Sequence, residues 1–200
     1  MKGFIILGLS VSSVLSAQTD STQIKEIQEV SFTRRLPVSK EIINVQKDLG
    51  SKNLGQDLPI LLKNQMSVVA TSDAGNGVGY TGFRIRGSAG TSINVMLNGV
   101  PYNDSESQGT FFVNIPDMAS SASQIVIQRG VGTSSNGTAS FGASVNILTK
   151  NPDEKPYVLG QFSAGSFNTM KTSFEAGSGK FLNNLLSVSA RYSIINSDGY

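Results

Sequence analysis

Three successive segments in the last fifth of the chain alternate between apolar and polar side chains, and no other feature narrows the possible folds as far. In the first, Val158, Gly160, Phe162 and Ala164 share one face, opposite Gln161 and Ser163. In the second, Met170, Thr172, Phe174 and Ala176 oppose Lys171, Ser173 and Glu175. In the third, Leu186, Val188, Ala190, Tyr192 and Ile194 oppose Ser187, Ser189, Arg191 and Ser193. A period of two belongs to strands whose faces meet different environments. Segments of about ten residues with this pattern fit membrane β-strands, with lipid on one side and an aqueous lumen on the other. The same period also fits a soluble antiparallel sheet with one solvated face. Three strands cannot close a barrel, and lipid does not tolerate an open sheet edge. The membrane reading therefore makes residues 157–200 the first three strands of an antiparallel barrel continued in a longer protein.

The start of the chain shifts the balance toward the membrane, a soluble secreted domain staying as the other reading. Met1-Lys2 is followed by the mainly apolar stretch Gly3 to Leu15 and then by Ser16-Ala17-Gln18, the pattern of a secretory signal peptide over residues 1–17. That stretch is shorter than the about 20 residues a spanning helix needs, and no later segment approaches this length. Membrane insertion must use strands. The chain has no cysteine and no histidine, which excludes disulfides, a lipidated cysteine, thiolate metal ligation and a Ser-His-Asp triad. No catalytic residues, resident metal or cofactor are expected, and the chain does not read as an enzyme. Sixteen basic and fourteen acidic residues balance to +2, without the clustered excess of a nucleic-acid binder.

Between these ends lie two further regions. Residues 18–36 form a polar arm with a strand-prone stretch, Ile27, Gln28, Glu29, Val30, Ser31, Phe32 and Thr33. Such a stretch can pair with an open sheet edge of a partner, or can be an inert tail. Residues 37–150 read as an α+β domain. Strands are expected at Glu41–Val45, Met66–Ala70, Phe83–Arg86, Ile93–Leu97, Ser123–Gln128 and Ala143–Thr149, with a short helix within Asn53–Asn64 and a helical turn at Ile115–Met118. Asn98-Gly99 marks a tight turn. The run Gly77-Val78-Gly79-Tyr80-Thr81-Gly82 fits a dinucleotide fingerprint by letter. That fingerprint needs a helix after its glycines, and here Phe83-Arg84-Ile85-Arg86 alternates as a strand. The expectation is a glycine-rich loop feeding a strand. Asn136-Gly137-Thr138, a glycosylation sequon by letter, reads as turn chemistry.

Three motifs in the α+β domain resemble the TonB-dependent outer-membrane transporter family. They are Phe83-Arg84-Ile85-Arg86-Gly87, Leu97-Asn98-Gly99-Val100-Pro101-Tyr102, and Gln124-Ile125-Val126-Ile127-Gln128-Arg129-Gly130 continuing through Asn136 to Lys150. The resemblance implies a plug domain lodged in a barrel of the 22-stranded class, placed in the bacterial outer membrane. It implies a periplasmic TonB protein, with its inner-membrane energising complex, that captures Ile27–Thr33 and pulls. It implies that Arg86 and Arg129 pair with barrel-wall glutamates, and that Tyr80, Tyr102, Asn103, Asp104 and Glu106 are apical ligand contacts. The expected function is energised import of a scarce nutrient complex such as a ferric siderophore, haem, cobalamin or metal chelate. A passive or adhesive barrel with an occluding plug is the alternative.

Overall fold

A computed structural model describes residues 39–131, 140–183 and 185–199. The signal peptide, the arm with Ile27–Thr33 and the sequon at Asn136 lie outside these. Sequence order gives strands β1 (Ser39–Asn44), β2 (Val68–Ser72), β3 (Thr81–Ile85), β4 (Ile93–Leu97), β5 (Val100–Pro101), β6 (Ala122–Arg129), β7 (Ala143–Thr149), β8 (Tyr157–Ala164), β9 (Met170–Phe181) and β10 (Leu186–Asn196). Two short helices, α1 (Leu58–Leu61) and α2 (Met118–Ser121), sit among them.

The centre is a mixed five-stranded sheet in the order β1-β6-β7-β4-β5. β6 is antiparallel to both β1 and β7, while β7 runs parallel to β4. Burial follows the sequence period. Ile125 and Ile127 of β6 and Val145 and Ile147 of β7 point into one core with Leu49, Leu58, Ile85 and Phe112, all essentially without solvent contact. The Phe112 ring packs against Phe83 with centroids 5.3 Å apart, a tilted aromatic pair within the favourable range. Phe83 belongs to the separate β2–β3 hairpin, so this contact ties the hairpin to the helical turn at Phe112–Asn114 inside the shared core.

The short helix expected within Asn53–Asn64 occupies Leu58–Leu61. Pro59 fixes where it can begin, being tolerated only in the first turn. Upstream, Gly55 takes φ +109 and breaks any earlier helical path. Before it, Asn44 caps a tight helical turn over Val45–Leu49: its Oδ1 accepts from Lys47 N at 3.1 Å, while its own N donates to Asp48 Oδ2 at 2.9 Å. This reciprocal pair works as a capping box does. Gly77-Val78-Gly79-Tyr80 is a loop followed directly by β3, as the alternation after it required.

β8, β9 and β10 form a second, antiparallel sheet in the order β10-β9-β8. Its register places Val158 beside Ala176 and Ala190, and Gly160 beside Phe174 and Tyr192, on one face. The opposite face carries Leu159, Glu175 and Arg191 in one row, Gln161, Ser173 and Ser193 in the next, and Ser163, Lys171 and Ile195 in a third. Phe162, Phe174 and Tyr192 on the apolar face are between 61% and 69% exposed, whereas Lys171 and Ser173 on the polar face are buried against the α+β domain. The three strands thus begin a barrel wall whose inner face is polar.

Candidate functional site

The chemistry of this molecule concentrates where the polar face of the second sheet meets α2. Asp117 lies just before α2 with φ 52, a left-handed conformation that Asp tolerates better than most residues. Its carboxylate is 2% exposed. Oδ1 accepts from Lys171 Nζ at 2.6 Å and Ser120 Oγ at 2.6 Å, and Oδ2 accepts from Arg191 Nη1 at 2.6 Å and Ser193 Oγ at 2.8 Å. Those four bonds fill the acceptor capacity of a carboxylate. Burial pushes the Asp117 carboxyl up, but bonds from Lys171, Ser120 and Ser193 outweigh it and hold it below its ordinary value of 3.8.

The two cations come from the second sheet. Lys171 of β9 is 1% exposed and donates also to Ser120 Oγ at 2.8 Å and Asn53 Oδ1 at 3.4 Å, using all three of its protons. Arg191 of β10 reaches Ser121 Oγ through Nε at 3.1 Å and Nη2 at 2.7 Å. A second ion pair of opposite polarity lies nearby: Lys150, just after β7, meets Glu175 of β9 at 2.9 Å, and Tyr157 donates to the same carboxylate at 2.8 Å. Removing one member of the buried Asp117–Lys171 pair leaves an uncompensated charge and costs about 3–5 kcal/mol. The arrangement is therefore a clamp between domain and wall.

Arg129 and Arg86 occupy other places. The Arg129 guanidinium pairs with Glu41 of the neighbouring strand β1 and donates from Nε to Met66 O at 3.0 Å. Arg86 follows β3 directly at φ 52, with Nη1 close to Gly130. Sequence reasoning missed Asp117, Lys171 and Arg191 as a unit. The available signal was a charge at the lumen-facing period of a strand, which demands a partner when covered.

The expected apical contacts fall in two loops. Tyr80 is 64% exposed on the β2–β3 hairpin, while the others follow β5 at the edge of the five-stranded sheet. Asn103 is committed to the loop itself: its Oδ1 accepts from Val95 N at 2.8 Å, and its Nδ2 donates to Ile93 O at 2.9 Å and Gln108 O at 2.8 Å. Asp104 Oδ1 accepts from Glu106 N, Ser107 N and Ser107 Oγ, and these bonds lower its pKa. Tyr80, Tyr102 and Glu106 leave side chains for a ligand more freely. The Tyr80 loop is itself held from below by Asp57, whose Oδ2 accepts from Gly79 N at 3.0 Å and Thr81 Oγ1 at 2.9 Å. Burial raises the Asp57 pKa above its usual 3.8, and the bonds from Thr81 and Gly79 offset that only in part.

Residues 33–144 match the TonB-dependent Receptor Plug Domain. The chain belongs to that family. Its α+β domain is the plug, and β8–β10 are wall strands around it. Solved structures agree on the fold. The ferripyoverdine receptor of the outer membrane of Pseudomonas aeruginosa is 14% identical with a TM-score of 0.60, covering 82% of this chain and 21% of its own. The ferric yersiniabactin uptake receptor FyuA from Yersinia pestis is 16% identical with a TM-score of 0.57, covering 78% and 24%. The alcaligin outer-membrane receptor FauA from Bordetella pertussis is 18% identical with a TM-score of 0.58, covering 80% and 27%. The chain thus spans about a fifth to a quarter of the length of these receptors. No curated protein matches it.

Proposed function

We propose that this chain is the plug-bearing part of an outer-membrane active transporter, which binds a metal chelate of the ferric siderophore kind at its outer face and imports it with energy delivered by TonB. The observation that carries the reading is the plug clamped by the Asp117 cluster to wall strands whose apolar face points away from it. A wall that is apolar outside and polar inside suits a bilayer. A plug fixed within it by ion pairs blocks the lumen until work is done on it. The solved receptors of this fold named for ferripyoverdine, ferric yersiniabactin and alcaligin support the ligand class.

In this mechanism Ile27–Thr33 adds a strand to an open sheet edge of the TonB periplasmic domain. Tension then passes along the arm into β1, the first strand of the plug. Arg86 and Arg129 hold the plug through wall glutamates, Arg129 while keeping its Glu41 partner inside the plug, and Tyr80, Tyr102 and Glu106 contribute side chains to an apical ligand surface whose loop Asn103 and Asp104 shape from within. No covalent chemistry is involved. The test is binding of a peptide spanning Gln23 to Leu36 to the periplasmic domain of the host's TonB, alongside a Val30→Pro peptide that lacks the amide needed for strand pairing. Binding lost on the proline change is the expected result. Equal binding by both peptides, or none by either, overturns the energised reading and leaves the passive barrel.

A further inference from the structure

Between plug and wall lies a cavity of about 740 Å³ that Gln161 helps to line, and a second, of about 560 Å³, opens on the opposite side of the wall. This second space is a notch in the apolar face, lined by Val158 of β8, Ala176 of β9, Val188 and Ala190 of β10, and Pro156 just before β8. The row Val158, Ala176 and Ala190 carries small side chains, where the next row, Gly160, Phe174 and Tyr192, carries two rings. The face is therefore stepped.

A break in the β9–β10 ladder lies at the notch. Ser189 pairs with Gly177 but Ser187 with Lys180, so Ser178 and Gly179 stand against Val188 alone. Such a bulge bends the strand and increases its twist. Ser178 Oγ repairs the ladder, accepting from Val188 N at 3.0 Å and donating to Gly179 O at 2.8 Å. Gly179, at φ +68, lies so close to the linker between plug and wall that a Cβ would strike the backbone of Glu154, Lys155 and Pro156. Lys180 N donates to Glu154 O at 3.1 Å, which fastens the linker there. Bulge and linker thus make the notch a built feature of the wall.

The charges at the linker define what fits. Asp153, Glu154, Lys155 and Lys180, two of each sign, gather where the apolar face ends. An apolar band that gives way to charge between Val158 and Lys155 marks the boundary of hydrocarbon and headgroups. Lys180 Nζ meets Glu154 Oε1 at 3.3 Å with both side chains exposed, and Lys155 makes no ion pair among the described residues. An apolar lining by itself selects no lipid, because acyl chains are as apolar as the side chains they meet. A cluster of both signs without excess charge matches a headgroup that also carries both.

We propose that the notch is a site for one zwitterionic glycerophospholipid of the phosphatidylethanolamine kind, with an acyl chain along Ala176 and Ala190, its phosphate at Lys155 and its ammonium group at Glu154. This rests on the reading that bilayer lipid covers the apolar face, and goes beyond it by naming one lipid and one place. A lipid so held joins linker to wall where the chain passes from plug to barrel.

The test uses full-length receptor, delipidated in mild detergent and titrated separately with phosphatidylethanolamine and phosphatidylglycerol, with bound lipid counted by native mass spectrometry. One phosphatidylethanolamine should be retained in preference to phosphatidylglycerol. Lys155→Gln should weaken that retention about fivefold, the worth of one lysine at a lipid surface. Ala176→Leu with Ala190→Leu should abolish it by filling the notch, while Thr172→Leu, on the same face beyond it, should change nothing. Phosphatidylethanolamine with a photoactivatable acyl chain should label the segments around Ala176 and Val188. If the filled variant does not fold, Lys155→Gln and the labelling decide. Full retention by a folded filled variant or by Lys155→Gln, no preference between the two lipids, or labelling spread evenly over β8–β10 or joining two receptors overturns the proposal. A receptor that does not insert into phosphatidylethanolamine vesicles at all overturns the membrane reading, and the site with it.

Discussion

Through one buried carboxylate Asp117 pairs with two cations of the wall, Lys171 and Arg191. Asp117→Asn keeps the shape but leaves Lys171 and Arg191 without their counter-ion. The expected loss is about 3–5 kcal/mol of plug docking, read as earlier protease cleavage of the plug in detergent-solubilised receptor. Pairing it with Lys171→Met should recover part of that loss. The pH dependence follows from two carboxyls shifted in opposite directions. Asp117 is held below 3.8, so its contribution is present above that value and disappears as pH falls through the lower folded one. Asp57 is raised above 3.8, so its protonated form favours the fold; that contribution is complete below 3.8 and is lost as pH rises through the higher folded value. Thermal midpoints measured downward from neutrality should therefore show the Asp57 gain first and the Asp117 loss below about 3.8. Asp57→Asn should remove the upper slope and Asp117→Asn the lower one.

Elements report a different set of constraints. The strands of both sheets were legible because each carries its own period, and a strand with one buried face must alternate whatever surrounds it. The short helix expected within Asn53–Asn64 is found at Leu58–Leu61 with Pro59 in its first turn, and Gly55 at φ +109 sets how early it can begin. At Gly177 a side-chain contact decides what the residue can be: it sits opposite Tyr157, whose ring an added Cβ would overlap. Gly177→Ala should overpack the β8–β9 pair by about 1–3 kcal/mol, seen as less heat-modifiable folded receptor on a gel. Tyr157→Ala in the same chain should restore folding, since it removes the ring that clashes. A Gly177→Ala receptor that folds like the parent would refute this packing.

For the whole molecule, the two faces of β8–β10 are the deciding feature. If bilayer lipid covers the apolar face, then Phe162→Lys places a charge against hydrocarbon and costs about 2–4 kcal/mol near the midplane. Gln161→Lys, one residue away, points to the cavity and the plug. Folding of full-length receptor into vesicles should fall sharply for the first and little for the second. Equal yields would mean that lipid does not cover the face carrying Phe162.

Local sequence was enough for the fold class, the strand period, the glycine-rich loop before β3 and the family resemblance, because alternation, turn chemistry and the order of motifs are properties of neighbouring residues. It also identified Lys171, Glu175 and Arg191 as belonging to the polar face of the wall. Which partner each would meet was decided only by tertiary structure. Asp117 is 54 residues from Lys171 and 74 from Arg191 in the chain, and no periodicity spans such distances. Arg129 likewise could be seen to lie in a buried strand, but its pairing with Glu41 depends on β1 lying beside β6. Burial makes a charge demand a counter-charge; only the packing of sheet against sheet determines which one answers.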